Sequence, residues 1–167
     1  MDLKLTGREF KGMSGAYAAM FVPYDGKGRI DTEAIGRIMD YGYANGLRGF
    51  YLTGSTGEWF LLTPEQRHTV MDAAVKYNRG RGKLIAHVGA NATDEAVEQA
   101  RYAAKVGIDW ISALTPMLYR TSFAAAYHHY KTITAATDLP FMVYSMGSAL
   151  VPERDIRFFD IPHVKGI

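Results

Sequence analysis

Six short apolar runs alternate with five stretches of helical periodicity, joined by connections only a few residues long. The runs cover 14–22, 50–52, 83–89, 110–116, 140–146 and 164–167. Runs this short and this apolar read as strands buried on both faces. Two parallel strands cannot be joined by a tight hairpin; they need a crossover, normally a helix. The alternation therefore predicts an α/β chain with a mostly parallel sheet and right-handed crossovers. An open doubly wound sheet and a (β/α)8 barrel both satisfy it, and pattern alone does not separate them.

The helical stretches carry start signals. Asp31 is placed to cap a helix with Ile35, Ile38, Met39 and Tyr43 on one face, ended by Asn45-Gly46. Thr63 and Gln66 form a capping box around Pro64, and Val70, Ala73, Ala74 and Tyr77 make the buried face. Thr93 is the expected cap of a third helix, with Val97, Ala100 and Ala104 inward. Ser122 caps a fourth, with Phe123, Ala126, Tyr127 and Tyr130 at helical spacing, and Pro152 opens a short fifth through about Phe159. The basic loop from Arg79 to Lys83 reads as solvated.

The most informative junction follows the second run: Gly49-Phe-Tyr-Leu-Thr-Gly-Ser-Thr-Gly-Glu58. Parallel α/β proteins place their chemistry at such turns, after the C-terminal ends of strands. Gly54 and Gly57 allow close approach of the backbone to a small ligand, and Ser55 and Thr56 supply hydroxyls beside backbone amides. Such a turn suits a carboxylate or a phosphate. The spacing of a P-loop and the G-x-G-x-x-G of a dinucleotide fold are both absent, which argues against nucleotide phosphate.

Composition removes other classes. A formal charge of +2 with scattered basic residues argues against nucleic acid. The absence of cysteine excludes disulfides, thiolate catalysis and cysteine metal sites. No apolar run approaches the ~18 residues of a membrane span, and Met1-Asp2-Leu3-Lys4 lacks the apolar core of a signal peptide. The expectation is a soluble, cytoplasmic protein without membrane partners.

Taken together, Gly54-Ser-Thr-Gly-Glu58, Ile85-Ala-His-Val-Gly89, Ser112-Ala-Leu-Thr-Pro116, Leu139-Pro-Phe-Met-Val-Tyr144 and Val164-Lys-Gly-Ile167 resemble the N-acetylneuraminate lyase and dihydrodipicolinate synthase family. The resemblance runs from about Gly12 to Ile167 and implies the N-terminal part of a single (β/α)8 barrel domain over 1–167, five βα units and the beginning of a sixth strand. It implies a class I aldolase that makes or breaks a carbon–carbon bond between pyruvate and an aldehyde. In this family a lysine on the sixth strand forms a Schiff base with pyruvate, and the iminium serves as the electron sink. The motif puts that lysine directly after Ile167, so the expectation is a lysine at the next position of a longer chain, with Lys165 a solvated or snorkelling side chain.

By the same resemblance Ser55, Thr56 and Gly57 bind the pyruvate carboxylate, and Tyr144 is the phenol beside the Schiff base. The family's second tyrosine, lent by a neighbouring subunit, aligns with Leu118, and Tyr119 one place later is the candidate for that role. Ser145-Met-Gly147 replaces the Asn and Pro that commonly follow the catalytic tyrosine. The resemblance implies no cofactor, no metal and a homotetramer. The Ser-Thr pair and the His-Val-Gly of the third strand lean towards the N-acetylneuraminate lyase branch; dihydrodipicolinate synthase and sugar-acid aldolases or dehydratases stay open. A reading from another class is a non-catalytic carboxylate-binding or partner-dependent barrel fragment.

Other residues read as structural. His87 is a core histidine, His128 and His129 diverge on a helix and make poor metal geometry, and Glu58 and Asp109 have no evident partner. Phe123, Tyr127 and Tyr130 form a core or interface stripe.

Overall fold

The computed structural model describes residues 13–117, 121–145 and 151–167. Six parallel strands stand side by side in sequence order: β1 (Tyr17–Ala19), β2 (Gly49–Leu52), β3 (Lys83–His87), β4 (Trp110–Ala113), β5 (Phe141–Val143) and β6 (Val164–Gly166). Between them run α1 (Thr32–Ala44), α2 (Pro64–Asn78), α3 (Thr93–Val106), α4 (Phe123–Thr134) and α5 (Pro152–Asp155), the last continued by a 3-10 turn over Ile156–Asp160. The strands are shorter than the apolar runs that announce them. The ends of the runs leave the ladder to form the loops in which the polar residues sit.

The order never reverses, so the sheet lacks the switch point of a doubly wound fold. Phe50, Leu52, Leu84, Ala86, Ile111, Ala113, Phe141 and Val143 join the helix residues Ile35, Met39, Val70, Met71, Ala100, Ala126 and Ile133 in one buried cluster. Alternation sends Tyr51, Ile85, His87, Ser112 and Met142 to the opposite face. Strands lie about 4.8 Å apart, so β2 and β5 would stand ~14 Å apart in a flat sheet. Nevertheless Ser55 Oγ, just past β2, lies 3.3 Å from Tyr144 Oη, just past β5. The sheet curls around its inner face with the helices outside, which is barrel curvature.

The caps follow the sequence in most places. Asp31 accepts from the Ala34 amide at 2.8 Å, Ser122 accepts from that of Ala125 at 3.2 Å, and Thr63 and Gln66 close the capping box. Thr93 is different: the cap position belongs to Ala92, and the Thr93 hydroxyl instead meets His129 Nδ1 on α4 at 2.9 Å. On α3 Val97 and Ala100 are buried as expected, but Ala103 takes the inward position in place of Ala104, which is exposed. The stripe of α4 is core: Phe123, Tyr127 and Tyr130 all contact Phe158, and Tyr130 also meets Phe141. His128 faces solvent while His129 is buried.

Two charged groups are less free than their sequence context suggests. Asp109 pairs with Lys83 Nζ at 2.6 Å and accepts from the Leu84 amide at 2.9 Å, because the starts of β3 and β4 are adjacent. Arg81 is tied to Asp40 at 2.6 Å and to the carbonyls of Tyr77 and Asn78, so the basic loop is anchored to the ends of α1 and α2.

Candidate active site

The turn after β2 is bounded by two non-glycine residues with left-handed backbone, Thr53 (φ 49°) and Glu58 (φ 52°). The glycines between them leave no room for a side chain. A Cβ on Gly54 would stand 2.4 Å from the Tyr51 ring, and one on Gly57 would stand 3.0 Å from the Met20 carbonyl. The missing side chains make room for the protein's own atoms. The Thr53 hydroxyl donates to the His87 carbonyl at 3.1 Å, and the amides of Glu58 and Trp59 close the turn on the carbonyls of Ser55 and Gly54. Among the described residues no backbone carbonyl takes the amides of Thr56 and Gly57.

This conformation brings Ser55, half-buried, to the phenol of Tyr144, while Thr56 is exposed at the rim. Tyr144 follows β5, and its amide donates to the Ala113 carbonyl at 2.9 Å, which extends the β4–β5 pairing past the end of the strand. Its ring meets two others edge-on: Tyr51 at 5.8 Å and 71°, and His87 at 6.1 Å and 85°. Tyr119 lies outside the described residues, as do Leu118 and the stretch from Met146 to Leu150. Lys165 is half-buried between buried Val164 and Gly166.

Behind the turn lies a layer of which the sequence reading named His87, as a core histidine, but not Arg67. His87 is fully buried. The Leu114 amide donates to its Nε2 at 3.2 Å, so the ring proton sits on Nδ1. Burial, reinforced by the nearby Arg67 charge, lowers its pKa to about 3, and the ring is neutral at ordinary pH. Gly89 is glycine for this ring's sake, since a Cβ there would stand 2.8 Å from His87 Nε2. Arg67, on α2, is buried too; its guanidinium donates to the carbonyls of His87 at 2.6 Å and Gly89 at 3.1 Å and lies against the Trp59 ring. Burial lowers its pKa to about 10, with Glu95 at 3.9 Å opposing the shift. A signal for Arg67 exists in the sequence: it falls in the same helical stripe as Val70, Met71 and Ala74, where an arginine must be satisfied internally. Among the described residues, no three His, Asp or Glu side chains gather as a metal site, and no helix is long and apolar enough to cross a membrane.

The arrangement is thus a parallel barrel-type α/β fold with a hydroxyl-bearing turn facing a phenol at the C-terminal ends of its strands, the end where such folds carry their chemistry. The class is that of parallel (β/α)8-type barrel proteins. Residues 12–167 match the model of the dihydrodipicolinate synthetase family, and the chain belongs to that family. It is 32% identical to a 4-hydroxy-tetrahydrodipicolinate synthase from Bacillus velezensis, over 89% of this chain and 53% of the relative. It is 35% identical to an N-acetylneuraminate lyase from Citrobacter koseri, over 81% of this chain and 46% of the relative. Among solved structures, an N-acetylneuraminate lyase from Mycoplasma synoviae superposes with a TM-score of 0.87 at 30% identity, over 94% of this chain and 55% of that one. The chain therefore spans about half the length of the relatives it matches, and its six strands are the first staves of the (β/α)8 barrel.

Proposed function

We propose that residues 1–167 form the N-terminal part of one barrel domain of a pyruvate-dependent aldolase, and that they carry the carboxylate-binding and phenol half of its active site. The observation that carries this reading is the 3.3 Å approach of Ser55 to Tyr144 across the curled sheet. Ser55, Thr56 and the amides of Thr56 and Gly57 offer a carboxylate several donors on one turn, in the manner of charge-assisted hydrogen bonds. The Tyr144 phenol, linked to the Ser55 hydroxyl, is the group that moves a proton at the reacting carbon or the leaving oxygen. At 3.3 Å the pair is longer than a strong hydroxyl bond, and such pairs commonly tighten only when ligand is bound. Met142 of β5 pairs with Gly166 of β6, so β6 runs towards the same end of the sheet as Tyr144, the end to which the family resemblance assigns the Schiff-base lysine.

Cleavage of N-acetylneuraminate is the reading the Ser55-Thr56 pair and the His87-Val88-Gly89 segment favour, with dihydrodipicolinate synthesis the second. Tyr119 is the candidate for a phenol presented to a neighbouring subunit, in a cytoplasmic homotetramer. The intact protein is expected to release pyruvate from N-acetylneuraminate and, in a separate sample treated with pyruvate and borohydride, to gain the mass of one reduced pyruvate per chain. Pyruvate binding without a covalent adduct would replace this reading by a non-catalytic carboxylate-binding protein.

A further inference from the structure

We propose that Tyr51 is a positioning residue that holds the Ser55 turn and the Tyr144 phenol in register with one another. The inference rests on the reading of Ser55 and Tyr144 as the working pair, and it adds the group that sets their separation. Tyr51 is the inward-facing aromatic residue of β2, while its neighbours Phe50 and Leu52 join the helix-side core. One side of its ring fills the space left by Gly54, where a Cβ would come within 2.4 Å and 2.8 Å of ring carbons. The same ring meets Tyr144 edge-on at 5.8 Å. A single rigid side chain therefore touches both the backbone immediately before Ser55 and the ring that bears the phenol.

The Tyr51 ring is itself fixed at its far end. Its hydroxyl donates to Ser112 Oγ at 3.0 Å, and Ser112 is fully buried on β4. Burial also raises the pKa of Tyr51, with the Ser112 bond opposing, so the hydroxyl stays protonated as a donor. A buried tyrosine needs such a partner, whereas phenylalanine would fill the same space without one. His87, paired with Ser112 in the β3–β4 ladder, meets the Tyr144 ring as well. Tyr144 thus has edge contacts from β2 and β3, and the β2 contact also bears on the Ser55 turn. If this platform is lost, the turn and the phenol relax separately, and a misplacement of about 1 Å is enough to cost ~100-fold in rate.

The test uses the intact protein with tyrosine labelled at 13Cζ, the Tyr144 resonance being assigned by its loss in Tyr144→Phe. Tyr51→Leu removes the platform and is expected to shift the Tyr144 resonance and lower kcat at least about tenfold. Tyr51→Phe keeps the ring and is expected to restore the resonance and most of the turnover. Gly54→Ala pushes on the platform from the other side and is expected to shift the same resonance; it serves also if Tyr51→Leu fails to fold. An unmoved Tyr144 resonance and unchanged kcat in folded Tyr51→Leu, or in Gly54→Ala where the first variant does not fold, would overturn the proposal. A wild-type protein that takes up no pyruvate, yet shows the shift in Tyr51→Leu, would overturn the aldolase reading and leave the positioning role in place.

Discussion

The buried guanidinium of Arg67 donates to the His87 carbonyl at 2.6 Å, and Thr53 donates to the same oxygen at 3.1 Å. One carbonyl at the end of β3 thereby ties α2 to the first residue of the Ser55 turn. The second Arg67 bond, to Gly89, secures the chain past the strand. The turn owes its shape to α2 and β3 as much as to its own glycines.

Replacement of Arg67 by Met removes the side-chain donor to the Gly89 carbonyl and leaves the His87 carbonyl with Thr53 alone among the described residues, but also relieves a desolvated charge. The net destabilisation is expected to be about 2–4 kcal/mol. Arg67→Lys does not restore it, because an ammonium lacks the fork that reaches both oxygens. Urea denaturation checks this: an unchanged midpoint in Arg67→Met would show that the clamp is not needed.

The carboxylate assignment is tested by changing both Ser55 and Thr56 to Ala. A charge-assisted hydrogen bond contributes roughly 1.5–3 kcal/mol, so pyruvate affinity is expected to fall at least tenfold. Equilibrium binding by calorimetry is the measurement, and an intact fold with wild-type affinity would remove these residues from the site.

Tyr144→Phe takes away one hydroxyl and keeps the ring contacts with Tyr51 and His87. Stability should hold, while turnover falls by at least about 100-fold, the lower end for a general acid–base group. Steady-state turnover close to wild type would reduce the phenol to packing.

His87 makes stability depend on pH. Its folded pKa, about 3, lies below the unfolded value near 6.5, so the unfolded chain binds the extra proton between the two. The stability contribution is full above the unfolded value and is lost as pH falls, until the folded pKa is passed. The slope from this one group approaches about 1.4 kcal/mol per pH unit. His68 and His129 are shifted in the same direction, so the share of His87 is read as a difference. The stability gap between wild type and His87→Gln is expected to narrow from about pH 7 to about pH 5. A gap that stays constant would mean that His87 does not titrate as a buried neutral ring.

What the sequence determined by itself was local and periodic. Strand–helix alternation specified a parallel sheet, because only crossovers can join parallel neighbours. The caps at Asp31, Thr63 and Ser122 were legible because a cap is a contact between residues three apart. Ser55 and Thr56 stood out as hydroxyls after an apolar run, whereas Tyr144 was singled out by the resemblance to the family. The cap at Thr93 and the reading of Asp109 as lacking a partner failed for a common reason: their partners, His129 and Lys83, are 36 and 26 residues away. The tertiary structure alone decided that β2 and β5 face one another across a curled sheet, and it brought Ser55 to Tyr144, 89 positions further along the chain. It likewise decided that Gly54 is glycine for the sake of the Tyr51 ring and Gly89 for that of His87. Periodicity says which face a residue takes. Only curvature and packing say what that face meets.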